Sequence, residues 1–342
     1  MSGLGAMARH SEPGRSQTLS AQYTSLTPTG NTPKQLTAAA GAATLGRVAA
    51  AAWCRETKLA RPGATLARSR IEVSHMASVL GFFNRPWSSL PLAEALDSIV
   101  ATGTKYVGFL GSSRGVVLEW NTPWEEVEAM RALLGERGMQ LRAVLAHVHF
   151  DVPEDEAIAR YRALIDRATA LDAGTLLEMG AHDPNHVEMY FRVMRAVCGY
   201  AQDHGLQIAV KPHGGITSTG KECAQVVERV GHDNYRLWWD PGNILYYKQL
   251  DPVAEARHVQ GLVTGVCVKD CLIRPDGSPT VDVTPGEGQV DFEGVFRTLV
   301  EGGFKGGPCL IETLGPSDPQ AATEAGKVAL QFISRVMAAA GL

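Results

Sequence analysis

The chain has 342 residues, of which 45% are hydrophobic and 20% charged, and its formal net charge is −4. That length and apolar content are enough to bury a large core, which excludes a disordered or fibrous protein. The longest alanine-rich run, Leu36 to Cys54, contains Arg47 and is too weakly apolar for a membrane span, so no membrane partner is expected.

Residues 1–75 differ from the rest: they are rich in Ser, Thr, Ala and Gly, with nine basic against three acidic side chains, a balance of +6. The remaining 23 basic and 33 acidic residues give −10. The leader reads either as a disordered tail, with Met76 a candidate internal start, or as an export or organelle-targeting segment. The expected location is cytoplasmic unless that segment directs the chain elsewhere. Six scattered cysteines without a CxxC pair read as reduced thiols rather than a disulfide framework.

From residue 76 to 342 short apolar runs alternate with amphipathic stretches of helical length. A strand over Ala77 to Phe83 is followed by a helix over Leu90 to Ala101, then a strand over Lys105 to Gly111 and a helix over Pro123 to Arg137. Leu141 to Val148 and Thr175 to Gly180 read as the third and fourth strands, each followed by a helix, Glu154 to Leu171 and Val187 to His204. Strands at Leu206 to Pro212 and Arg236 to Asp240 precede helices at Gly220 to Val230 and Pro252 to Leu262. The last pairs are Gly265 to Asp270 with Phe292 to Glu301, and Pro308 to Thr313 with Gln320 to Ala340. Glycines close several of the helices, as in "ERG" and "DHG".

Eight strand-then-helix units in about 265 residues predict an α/β fold, a (β/α)8 TIM barrel occupying residues 76–342. A doubly wound open sheet would ordinarily carry a glycine-rich phosphate turn after its first strand, and "GFFNRPW" is not one. In a barrel the chemistry sits at the C-terminal strand ends. Polar residues gather there: His147 and His149 after strand three, Glu178 after four, Lys211 and His213 after five, Asp240 after six, Lys269 and Asp270 after seven, and Glu312 after eight.

Four stretches carry a family likeness: "LWWDPGNI", "GVCVKDC", "PGEGQVDFEGVFRTLVEGGFKG" and "CLIETLG". In this order and spacing they resemble the sugar phosphate isomerase/epimerase superfamily with the xylose isomerase-like barrel, over Ala77 to Leu342. The resemblance implies a sugar or keto-sugar isomerase or epimerase that removes a proton beside a carbonyl. It also implies a divalent metal held by a Glu after strand five, an Asp after six, a His on seven and a Glu on eight. Asp240 and Glu312 match two of these positions, whereas Lys211 stands at the first and Cys267 at the third.

Two arrangements follow from those substitutions. In one, the Lys211 ammonium takes the place of the metal and polarises the carbonyl, or, if burial lowers its pKa, moves a proton or forms a Schiff base. In the other, Glu178, His213, Asp240 and Glu312 build a rearranged site, whose oxygen-rich donors suit Mn²⁺ or Mg²⁺. The catalytic candidates are accordingly Glu178, Lys211 and Glu312, and the substrate contacts His213, Asn243 and Lys269. Asn243 can bond a sugar hydroxyl or stabilise the following turn, and one of Trp238 and Trp239 should face the barrel interior. The expected partner is a small sugar or polyol, and the sequence leaves a homo-oligomer open. Nucleic acid is not expected, since the barrel region is acidic and "DPGN" lacks the histidine of a D-x-x-H pair. A related lyase or dehydratase, and a carbohydrate-binding barrel without chemistry, are the alternative functions.

Overall fold

A computed structural model describes residues 78–112 and 115–342. The tail or targeting segment expected at residues 1–75 lies outside the described residues. Eight parallel strands close into a barrel: β1 (Val79–Phe83), β2 (Tyr106–Phe109), β3 (Gln140–Leu145), β4 (Thr175–Glu178), β5 (Gln207–Val210), β6 (Tyr235–Trp239), β7 (Val263–Val268) and β8 (Pro308–Ile311). Each strand pairs with its neighbours in sequence, and β8 closes on β1 through register pairs from Val79↔Pro308 to Phe82↔Ile311. All eight predicted strands are present, with ends that differ by a few residues.

The helices among the described residues are α1 (Leu92–Ala101), α2 (Trp124–Glu136), α3 (Glu154–Ala170), α4 (Val187–Asp203), α5 (Gly220–Val230), α6 (Pro241–Lys248), α7 (Pro252–Ala256), α8 (Phe292–Glu301) and α9 (Pro319–Ala339). The helix expected over Pro252 to Leu262 is shorter than its apolar pattern: α7 gives way to a 3₁₀ turn at Arg257–Val259, so that β7 can start at Val263. Helix α6 was hidden because "DPGN" reads as a turn. Asp240 caps it, accepting a hydrogen bond from Asn243 N at 3.0 Å, and Pro241 occupies its first turn, where no donor is needed. Two short hairpins, Gly111–Ser112 with Gly115–Val116 and Leu272–Ile273 with Pro279–Thr280, decorate the loops that follow β2 and β7.

Two apolar layers result from the alternation along each strand. Phe83, Ala143, Leu145, Leu177, Ala209, Trp238, Cys267 and Leu310 fill the barrel interior, and their strand neighbours, such as Leu176, Ile208 and Trp239, join the larger core beneath the helices. The interior series fixes what stands at the barrel mouth. Continuing it by two residues leads from Phe83 to Arg85, from Ala209 to Lys211, from Trp238 to Asp240, from Cys267 to Lys269 and from Leu310 to Glu312.

Candidate active site

Those five residues meet. Lys211 Nζ lies 2.6 Å from Glu312 Oε2 and 3.2 Å from Asp240 Oδ2. Lys269 Nζ lies 2.7 Å from Glu312 Oε1 and 3.1 Å from Asp240 Oδ2, so the same two carboxylates are bridged by both ammonium groups. Arg85 Nη1 adds a third cation, 3.1 Å from Glu312 Oε1. Lys211, Lys269, Asp240 and Glu312 are at most 3% exposed. Three positive and two negative side chains thus meet at the mouth.

The electrostatics follow from this packing. Burial alone would lower the Lys211 pKa, but the charges of Glu312 and Asp240 more than offset it and hold the ammonium well above its usual range. Lys211 is therefore held as a cation at neutral pH, which favours an electrostatic role over the Schiff-base and proton-shuttle roles. Burial would raise the Glu312 pKa; the charges of Lys211, Lys269 and Arg85 instead hold its carboxyl well below the usual range. Glu312 is ionised, and any proton it takes must come from a substrate whose own acidity the cations have increased.

Asn243 is buried and fully engaged. Its Nδ2 donates to Pro212 O at 2.7 Å and its Oδ1 accepts from Lys269 Nζ at 3.1 Å, so it braces the lysine rather than presenting an open amide. Gly242 allows the close approach this needs, because a Cβ there would stand 2.7 Å from Lys269 O. His213 is half-buried above the cluster, with Nδ1 3.2 Å from His182 Nε2 and the Tyr247 hydroxyl 3.3 Å from its Nε2. Burial, reinforced by Lys211 and Lys269, holds the His213 imidazole well below its usual pKa, hence neutral. A neutral histidine, a second histidine and a phenol form a rim suited to polar hydroxyl groups.

Glu178 does not join this set. The register pair Glu178↔Val210 turns it toward the helices along with Val210, while Leu177↔Ala209 faces the interior. Burial raises its carboxyl pKa to about 8, against the pull of the neighbouring Tyr161 hydroxyl, and Oε1 has no well-formed hydrogen bond. Of the four proposed ligands Glu178, His213, Asp240 and Glu312, the structure thus brings together only Asp240 and Glu312.

The residues present do not fit a divalent cation at the barrel centre. Donor atoms of Asp240, Cys267 and Glu312 lie within 4.8 Å of one another. The carboxylate oxygens, however, are held by two ammonium groups, and a divalent ion would have to enter against both charges. Burial pushes the Cys267 thiol well above its usual pKa, so it is a neutral interior side chain and not a thiolate ligand.

One contributor escaped the sequence reading, and another, Asp270, was seen there only as a strand-end charge. Arg85 stands two residues beyond Phe83 in "GFFNRPW", at a strand end where no charge was sought. Asp270 organises the family turn: its Oδ1 accepts from Cys271 N and Val290 N, and its Oδ2 from Gly286 N and Gly288 N, all at 2.8–3.0 Å. A Cβ on Gly288 would meet Asp270 Oδ1 at 2.2 Å, which explains the glycine in "GEGQ".

A closed parallel barrel with a charged cluster at the C-terminal ends of its strands is the architecture of a site-bearing TIM barrel. The chain belongs to the xylose isomerase-like TIM barrel family, whose pattern matches residues 96–333. Among solved structures, a xylose isomerase-like TIM barrel protein from Mycobacterium smegmatis in complex with magnesium is 16% identical at a TM-score of 0.62, covering 77% of this chain and 99% of that one. D-psicose 3-epimerase with D-tagatose from Clostridium cellulolyticum H10 is 13% identical at a TM-score of 0.60, covering 76% and 99%. The probable 3-DHS dehydratase AsbF from Bacillus anthracis is 12% identical at 0.56, covering 75% and 98%. At these identities the likeness is one of fold. No match is found among curated protein sequences. No helix among the described residues is long and apolar enough to cross a membrane.

Proposed function

We propose that the protein is an isomerase or epimerase of a sugar or keto-sugar that works through an enediolate, with Lys211 and Lys269 supplying the positive charge and Glu312 the proton-accepting carboxylate. The observation that carries this reading is the pair of buried ammonium groups bridging Asp240 and Glu312 where the family resemblance implies a metal. Proton removal beside a carbonyl is slow unless the developing oxygen charge meets a preorganised cation. The two buried ammonium groups would face the oxygen charge of an enediolate. As substrate oxygen takes up part of the ammonium bonding, Glu312 is freed to accept the proton. Asp240 and Asn243 keep Lys269 in place, and the rim of His182, His213 and Tyr247 contacts hydroxyl groups. The same carbanion logic serves a dehydratase, where a leaving group departs from the neighbouring carbon.

A second reading, a sugar-binding barrel without chemistry, draws on the burial of the cluster, whose charged atoms are already paired with one another. The test is proton exchange in deuterium oxide with a panel of ketoses and their acids, read by mass spectrometry alongside direct binding. Exchange at the carbon beside the carbonyl supports the enzyme. Binding of a ketose with no exchange at saturating protein assigns the barrel to the second reading.

A further inference from the structure

A second group of donor atoms stands at the barrel mouth, apart from the lysine cluster. Glu119, in the loop between the first hairpin and α2, and His147 and His149, after β3, each offer a ligand atom within 4.8 Å of the others, and all three are half-buried. His147 and His149 continue the inward-facing alternation of Ala143 and Leu145. Their rings lie 4.6 Å apart, so both imidazoles face one small volume.

Neighbouring groups hold these donors in place. The Glu119 turn is closed by a hydrogen bond from Glu119 N to Thr122 Oγ1 at 2.8 Å and another from Thr122 N to Glu119 O at 3.2 Å; Arg167 Nε then donates to Thr122 O at 2.7 Å. Trp120 packs edge-on against His149 at 6.2 Å, and the Arg160 guanidinium covers its ring at 4.6 Å. Arg160 also pairs with Glu156. On the histidine side, Ala146 N is fixed to Leu177 O at 2.9 Å. Asp151 Oδ1 stands 3.9 Å from His149 Nδ1, where a small adjustment would let it orient the ring, as outer carboxylates do for metal-bound histidines.

We infer that Glu119, His147 and His149 form a binding site for a divalent transition-metal ion of the zinc class, with coordination positions left open toward the barrel mouth. Two imidazoles and one carboxylate favour such an ion over Mg²⁺, which prefers an all-oxygen shell. Three protein ligands leave room for water or for an oxygen of a bound polyol or acid. Unlike the barrel centre, this group has no ammonium among its donors. The inference does not depend on the catalytic reading, because it is tested by metal binding and not by turnover.

The test uses the full chain, stripped with chelator, reloaded with one equivalent of zinc and passed through gel filtration before elemental analysis and calorimetric titration. The native protein is expected to retain about one zinc per chain. Glu119→Gln and His149→Ala should each weaken binding at least about tenfold, and Asp151→Asn about tenfold, in line with the loss of an orienting partner. Lys211→Met, in the other cluster, should bind zinc like the native protein. Zinc should also raise the melting temperature of the native chain but not of Glu119→Gln, which remains readable if a histidine variant does not fold. Native protein that retains no zinc overturns the site, as does zinc binding undiminished in both Glu119→Gln and His149→Ala.

Discussion

Replacing Glu312 by glutamine should be among the most damaging single changes at the barrel mouth, and its cost can be worked from the cluster. Glu312 faces Lys211 at 2.6 Å, Lys269 at 2.7 Å and Arg85 at 3.1 Å. Glutamine keeps the shape but removes the carboxylate charge that faces all three cations. Removing one partner of a buried ion pair costs about 3–5 kcal/mol, because the remaining charges are left uncompensated. For a domain of this size, at about 2–4 °C per kcal/mol, the melting temperature should fall by roughly 6–20 °C. Lys211→Met makes the informative comparison. It removes one cation, while Glu312 keeps Lys269 and Arg85 and Asp240 keeps Lys269. It should therefore cost less than Glu312→Gln, although it removes the same contact. Urea unfolding followed by circular dichroism, with the slopes compared to confirm that only stability has changed, measures both. A Glu312→Gln protein within about 0.5 kcal/mol of native, the level of an ordinary surface change, would refute the ion-pair reasoning, and so would a Lys211→Met protein less stable than Glu312→Gln.

Three further outcomes are expected. The pKa of Glu178 is raised in the fold from 4.5 to about 8, so its effect on stability is complete below pH 4.5. Native stability should then decline between those values, by up to about 1.4 kcal/mol per pH unit, and Glu178→Gln should flatten that slope in urea titrations at pH 5, 7 and 9. Asp270→Ala removes the acceptor of four backbone N–H groups, so hydrogen exchange should rise at residues 286–290, with a stability loss of a few kcal/mol at order-of-magnitude level. Because the Glu312 pKa is depressed, its stabilisation is present above the unfolded value of 4.5 and is lost as pH falls through the lower folded value. An acid titration of native protein should show that loss below pH 4.5, and Glu312→Gln should lack it.

Most of the barrel was legible because strand length and helical periodicity leave little choice over eight repeats. The centre of the site was partly legible, since Lys211, Asp240, Lys269 and Glu312 all stand at strand ends and share the inward face. Glu178 was misplaced for a specific reason. Strand β4 is "TLLE", apolar on both faces as parallel strands are, so the sequence does not say whether Leu176 or Leu177 faces inward. Only the pairing with Ala209 and Val210 decides it. Asn243 stands beside the cluster through its bond to Lys269 Nζ, and its backbone partner, Pro212 O, belongs to a loop 31 residues away. Arg85 was missed because strand one is followed by a short 3₁₀ turn, Arg85–Trp87, in which the arginine reads as a surface residue. His147 and His149 were visible as a strand-end pair, but their third companion, Glu119, comes from another loop and has no sequence signal of its own.

The central claim is that the lysine cluster supplies the charge that stabilises an enediolate. The most direct measurement is the rate of deuterium uptake from solvent into a bound ketose by native protein and by folded Lys211→Met. The account predicts uptake by the native protein and a fall of about a hundredfold or more in the variant, as for loss of an oxyanion-stabilising group, with ketose affinity changed far less. Equal uptake by the two proteins would contradict it.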